Sequence, residues 1–173
     1  MSEESQETSA VELTDQQRPT RTMAATAVRM TEIIMPNDTN PYGTVSGGRV
    51  MHLIDICGAV AAVRHARRQV VTASIDEVAF VAPVPLGHIL ILDGMVTCTG
   101  STSMEVRVIV RGENPITGDV RQTTTAHLTF VALAKDGQPT AVPELVAETD
   151  EQHELMRHAK RRRQARLARF DSP

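Results

Sequence analysis

Residues 35–55 read MPNDTNPYGTVSGGRVMHLID, and three kinds of group able to do chemistry stand in them. Asn40 offers a carboxamide, Gly47 and Gly48 open an apolar stretch, and one carboxylate, Asp55, lies inside that stretch. An ionised carboxylate on an apolar helix face is costly unless it is paired or used. Two glycines at a helix start leave backbone N–H groups accessible to a ligand. Such an end carries partial positive charge, so it can polarise a carbonyl and hold a developing oxyanion. Asp55 could then act as general base on a water, or attack directly to give an anhydride. Together these groups permit acyl transfer to water, and the sequence leaves both routes open.

Each residue also has a plainer reading. Glycines before a helix are usually turn residues. Asparagine before proline commonly turns the chain, and a lone Asp55 could be a satisfied structural carboxylate. The concentration of all three in one segment favours function. Gly48 and Asp55 are seven residues apart, which is about 10 Å along a helix. Amides and carboxylate of one helix therefore cannot reach one carbon. Two antiparallel helices related by a two-fold axis could bring the helix start of one subunit to Asp55 of the other.

The elements that must position these groups follow from local pattern. Val28–Met35 is expected as a strand, ended by Pro36, and 36–46 as a loop. Gly48 to about Arg68 is expected as a long helix, apolar nearly all round and therefore buried. Four strands should follow, Val70–Val81, His88–Thr99, Ser103–Arg111 and Val120–Ala134, divided by Gly, Pro and Asn turns. In MEVRVIVRG, Glu105 and Arg107 point opposite to Val106 and Val108. Residues 148–169 form a charged helix candidate. The domain plan is a disordered tail over 1–25, a body over 26–145 and a charged C-terminal helix over 146–173. One buried helix against about five antiparallel strands is an α+β arrangement. The helix covers only part of the sheet, so edge pairing between subunits is expected.

Composition narrows the class. The chain has 173 residues, 41% hydrophobic but only 2% aromatic with no Trp, so Val, Ile, Leu, Ala and Met must build its core. The net charge of -3 argues against a nucleic-acid binder. The basic run KRRRQARLAR at 160–169 follows acidic residues and has no aromatic platform beside it. Cys57 and Cys98 lie in apolar segments without CxxC spacing, as buried free thiols of a reducing cytosol do. Neither a membrane span nor a secretory leader is expected, and the localisation expected is cytoplasmic. His52 shares a helix face with Asp55, but no third ligand accompanies the pair, and nothing near Cys57 would activate its thiol. Arg64, His65, Arg67 and Arg68 close the core helix, where they suit the helix dipole or a phosphate.

Met35, Pro36, Asn40, Gly43, Gly47, Gly48, Met51 and Asp55 follow the pattern MP-x-x-x-N-x-x-G-x-x-x-GG-x-x-M-x-x-x-D. With VVTASIDEVAFVAPVPLG (70–87), TGSTSMEVRV (99–108) and LTFVAL (128–133), the chain resembles the hotdog-fold acyl-CoA thioesterases of the cytosolic acyl-CoA hydrolase group over about 25–145. The resemblance implies a helix wrapped by an antiparallel sheet, in dimers that often assemble into hexamers. It implies hydrolysis of acyl-CoA to CoA and a fatty acid, with no metal and no cofactor beyond the CoA of the substrate. Asp55 would be base or nucleophile, and Asn40 with the Gly47 or Gly48 amides would hold the carbonyl from the partner subunit. Thr102 and Ser103 would lie near CoA, with Arg64 as a further candidate phosphate contact. Ser46 departs from the pattern, since many members carry Phe there. The rival reading is a non-catalytic acyl-CoA-binding sensor on the same fold.

Overall fold

A computed structural model describes residues 18–76 and 78–170, without the side chains of 169 and 170. Helix α1, Gly47–Ala66, begins where Ser46 in extended backbone lets its hydroxyl accept from Arg49 N at 3.3 Å. It ends where Arg67 turns left-handed (φ 52) and donates its N–H to Val63 O at 2.8 Å. Arg64 occupies the last turn, where positive charge is favoured, and His65 beside it is buried.

The helix lies on a five-stranded antiparallel sheet of order β2-β4-β5-β6-β3. The strands are β2 Val28–Ile33, β3 Gln69–Ile75, β4 Ile89–Thr99, β5 Ser103–Glu113 and β6 Val120–Leu133. Period-2 alternation sends Leu90, Leu92, Val96, Val106, Val108, Leu128 and Phe130 into one core with Leu53, Ile54, Cys57, Ala61 and Ala62 of α1. Small residues let helix and sheet approach. A Cβ on Gly58 would stand 3.0 Å from the Phe130 ring, and one on Gly94 would stand 2.8 Å from Cys57 Sγ. This is the expected hotdog arrangement.

Several boundaries differ from expectation. The proposed disorder over 1–25 is corrected for its described part. Thr20–Thr22 forms β1, which pairs in parallel with β7, Glu144–Val146. Met23 is fully buried, and Thr26 accepts from Val96 N at 3.0 Å while donating to Met23 O at 2.8 Å. Residues 1–17 lie outside the described residues. Strand β3 stops at Ile75, not Val81, after a register shift between Thr72 and Ser74. Beyond it the described chain meets β6 at separate points and not in a regular ladder: Asp76 N–H donates to His127 O and Val81 N–H to Thr123 O, each at 2.9 Å, and Thr124 Oγ1 donates to Ala79 O at 3.2 Å.

Helix α2, Asp150–Phe170, lies on the sheet face opposite α1. Glu105 alternates outward as expected, yet it is 2% exposed, because Arg162 Nη2 meets its Oε1 at 2.7 Å and Thr97 Oγ1 donates to the same oxygen at 3.0 Å. The α1 helix is covered on one side only. Ile56, Val60 and Val63 remain 36–43% exposed, so burial all round does not hold within one chain. Among the described residues no helix is long and apolar enough to cross a membrane.

Candidate active site

Asp55 is half-buried in the third turn of α1 and faces the edge strand β3. Thr72 of β3 donates its hydroxyl to Asp55 Oδ1 at 2.7 Å, which fixes the carboxylate's orientation. Sequence reasoning passed over Thr72. A threonine in a strand reads as ordinary β propensity, and nothing in the spacing marks it.

Asn40 organises the preceding loop. Its Oδ1 accepts from the N–H groups of Tyr42 at 3.0 Å and Thr44 at 3.3 Å, and its Nδ2 donates to Thr44 Oγ1 at 2.9 Å. A carboxamide has two N–H donors, so a second one remains for a ligand. Gly43 takes φ 75 at the loop tip, a conformation that favours glycine. Asp38 ties the loop to α1 through an ion pair with Arg49 at 2.8 Å. Ser46, marked by its departure from the family pattern, is the helix cap. It engages Arg49 N, and the Gly47 and Gly48 amides at the first helical positions have no intrahelical acceptor.

A mostly apolar cavity of about 420 Å³ opens beside that helix start. Val45, Gly47, Val50, Phe80, Val81 and Val84 line it, and the Phe80 ring lies 3.8 Å from where a Cβ on Gly47 would stand. Phe80 was not singled out in the sequence. The chain therefore assembles two half-sites. Loop, helix start and cavity form one; Asp55 with Thr72 forms the other. Neither Asn40 nor Asp55 lines the cavity.

The residues expected near CoA separate. Thr102 and Ser103 stand at the β4–β5 turn, with Thr102 O accepting from Ala132 N at 3.0 Å and Ser103 O accepting from Gly100 N at 2.8 Å. The Arg64 guanidinium donates to the Ala27 carbonyl. His52 is exposed. Cys57 is buried, and burial, then the charge of Asp93, pushes its thiol up to about 11. Cys98 is buried and shifted the same way by burial first, then by Glu105.

Residues 42–118 match the Thioesterase superfamily. A Bacillus subtilis protein, the uncharacterized acyl-CoA thioester hydrolase YkhA, is 42% identical over 139 residues, covering 80% of each chain. The chain belongs to the acyl-CoA thioester hydrolase family. The rat cytosolic acyl coenzyme A thioester hydrolase is 31% identical over 132 residues, and there the match spans 75% of this chain and 35% of the rat enzyme. Among solved structures, the acyl-CoA hydrolase of Staphylococcus aureus in complex with butyryl-CoA superposes with a TM-score of 0.82 at 36% identity, covering 88% of this chain and 93% of that one. An apo-hexameric acyl-CoA thioesterase reaches 0.85 at 39% identity, covering 90% and 99%. Other structures of the S. aureus hydrolase carry alanine in place of one asparagine, one aspartate or one threonine. Those three positions lie fifteen and seventeen residues apart, the intervals that separate Asn40, Asp55 and Thr72 in this family member.

Proposed function

We propose that the chain hydrolyses acyl-CoA thioesters to free CoA and a fatty acid. The observation that carries this reading is Asp55, oriented by Thr72 at 2.7 Å, at the same sequence intervals as the residues altered in the S. aureus hydrolase. The thioester carbonyl lies at the Gly47–Gly48 helix start, where backbone N–H groups and the second Asn40 Nδ2 donor polarise it. Asp55 takes the proton of a water as that water attacks the carbonyl carbon. The tetrahedral intermediate then collapses, the C–S bond breaks, and CoA leaves as a thiolate that takes the proton back from Asp55. In the other route the Asp55 carboxylate attacks first, expels CoA and is released from the anhydride by water. The cavity of about 420 Å³ beside Gly47 suits the start of an acyl chain.

The two half-sites require self-association, as a dimer or a trimer of dimers. Support comes from β3 at the sheet edge and from the exposed apolar residues Ile56, Val60 and Val63 of α1, with Ile75 of β3 on the same side of the sheet. A partner helix laid antiparallel about a two-fold axis level with residue 51 would carry its Gly47–Gly48 end toward Asp55. Neither a membrane nor a nucleic acid is needed, and the cytoplasm is the compartment that fits two free thiols.

The test is CoA release from acyl-CoAs of different chain lengths by the native chain and by Asp55→Asn. Hydrolysis by the native chain, lost in a folded mutant, supports the proposal. Tight acyl-CoA binding without release by the native chain would install the non-catalytic sensor instead.

A further inference from the structure

Helix α2 meets the sheet through a face that is half apolar and half basic. Met156 and Ala159 begin it; Arg162, Arg163 and Arg166 continue it. A guanidinium turned toward a sheet gives up hydration and needs a partner. Arg162 has one in Glu105. Arg166 has the Asp76 carboxylate at 3.7 Å, beyond hydrogen-bond distance, and its buried Nη1 has no acceptor among the described residues. No hydrogen bond or ion pair engages Arg163 among the described residues.

Both arginines border a cavity of about 220 Å³ between α2 and the outer sheet face. Its other walls are Ala73, Ser74, Ser103, Thr129 and Leu167. Among the described residues the buried hydroxyls of Ser74 and Thr129 have no partner, and Thr129 is only 8% exposed. Orphaned buried hydroxyls are uncommon and call for an explanation. Here two of them converge with two guanidinium groups on one space. Gly100 completes the arrangement, because a Cβ there would stand 2.7 Å from Arg163 Nη2 and 3.1 Å from its Nε. A side chain at this turn would displace the Arg163 head from its present place. Positive charge in the last turns of a helix also offsets the helix dipole. That effect asks only for proximity, and exposed arginines such as Arg161 serve it equally. It does not explain inward-turned heads opposite unpaired hydroxyls.

We infer that the cavity between α2 and the outer sheet face is a phosphate-monoester site, in which Arg163 and Arg166 supply charge and Ser74, Ser103 and Thr129 supply hydroxyl donors. Arginine matches phosphate geometry through paired N–H donors, and the phosphate oxygens accept from the hydroxyls. Two described carboxylates lie near these heads, Asp76 and Glu105 across the ladder from Thr129; Arg162 pairs Glu105, so Arg163 and Arg166 against Asp76 leave net positive charge. The monoester can be the 3′-phosphate of CoA or a free phosphate. The first source rests on the thioesterase reading above; phosphate recognition itself does not.

The test titrates inorganic phosphate and adenosine 3′,5′-bisphosphate into the full chain by calorimetry, with folding of every variant checked by circular dichroism. Saturable binding is expected in the native chain. Arg163→Gln should weaken it by about tenfold or more, and Thr129→Val by a few-fold, as lost charged and neutral hydrogen bonds do. Arg161→Gln, on the exposed side of α2, should bind as the native chain does. Absence of native binding, or equal binding by Arg163→Gln, overturns the inference. Kinetics then separate the sources. An Arg163→Gln increase in KM for acyl-CoA, absent with the 3′-dephospho substrate, assigns the site to CoA. Lost phosphate binding with unchanged KM assigns it to free phosphate. A chain that hydrolyses nothing would fail the thioesterase reading while leaving the titration interpretable.

Discussion

Replacing Thr72 by Val removes one hydroxyl and keeps the β-branched shape that suits strand β3. The lost contact is the 2.7 Å hydrogen bond to Asp55 Oδ1. A hydrogen bond to an ionised group contributes about 1.5–3 kcal/mol. Thr72 is exposed and Asp55 half-buried, so water competes and the lower end applies. At 1.4 kcal/mol per factor of ten, kcat should fall by about tenfold, with about a hundredfold as the upper bound. KM should move little, because Thr72 acts through the carboxylate and not on the acyl chain. Thr72→Ser, which keeps the hydroxyl, should recover most of the loss. In the Asp55→Asn background, Thr72→Val should add almost nothing, since two residues acting as one unit are not additive. The assay is CoA release under saturating acyl-CoA, beside a urea melt to confirm that stability is unchanged. A Thr72→Val enzyme within twofold of native, or losses that multiply in the double variant, would refute the positioning role.

Three further outcomes test the frame around the site. Gly94→Ala places a methyl 2.8 Å from Cys57 Sγ and 3.3 Å from the Cys57 carbonyl oxygen, so α1 must shift and a loss of about 1–3 kcal/mol is expected by urea denaturation. His65 is fully buried, and burial first, with the charge of Arg21, lowers its pKa against the opposing hydrogen bond to Pro143 O at 2.8 Å. Below its ordinary 6.5 the unfolded chain takes up a proton that the folded chain resists. Stability should therefore be full above that pH and decline as pH falls beneath it, and a urea midpoint that is flat from pH 7.5 to about 5.5 would contradict this. The Cys57 thiol, raised to about 11 by burial, then by Asp93, should resist a thiol reagent at pH 8 until urea unfolds the chain.

What could be read from the sequence was what one segment carries within itself. Val106 and Val108 alternate with Glu105 and Arg107, so strand β5 and its inward face follow from period alone. The helix start, Asn40 and Asp55 were legible because residue type and spacing coincide in one short stretch. What escaped depends on contacts between distant segments. Strand β1 has three residues, too few for any period, and exists through β7, with Thr20 opposite Glu144. Thr72 becomes part of the site only because β3 passes beside α1. Helix α2 reads as solvated, since arginines occupy the positions that meet the sheet. Its contact with the sheet runs through Glu105 as well as Met156 and Ala159, and no local pattern pairs residue 105 with residue 162.

The open face of α1 carries the most weight for function. Ile56, Val60 and Val63 stand beside Asp55 on a helix whose composition calls for cover on every side, and one chain covers only the side that faces the sheet. An apolar stripe of this kind gains by removal from water, at roughly 25 cal/mol per Å². The same event would supply what the half-sites lack when the two-fold axis lies level with residue 51, on the N-terminal side of this stripe, because an antiparallel partner helix then carries its own glycine pair toward Asp55. Association and catalysis are then one requirement. Val60→Glu, placing a charge on the stripe without touching Asp55 or Thr72, should yield a folded monomer without activity. An active monomer, as judged by light scattering and CoA release on one sample, would separate the two and place the whole site within a single chain.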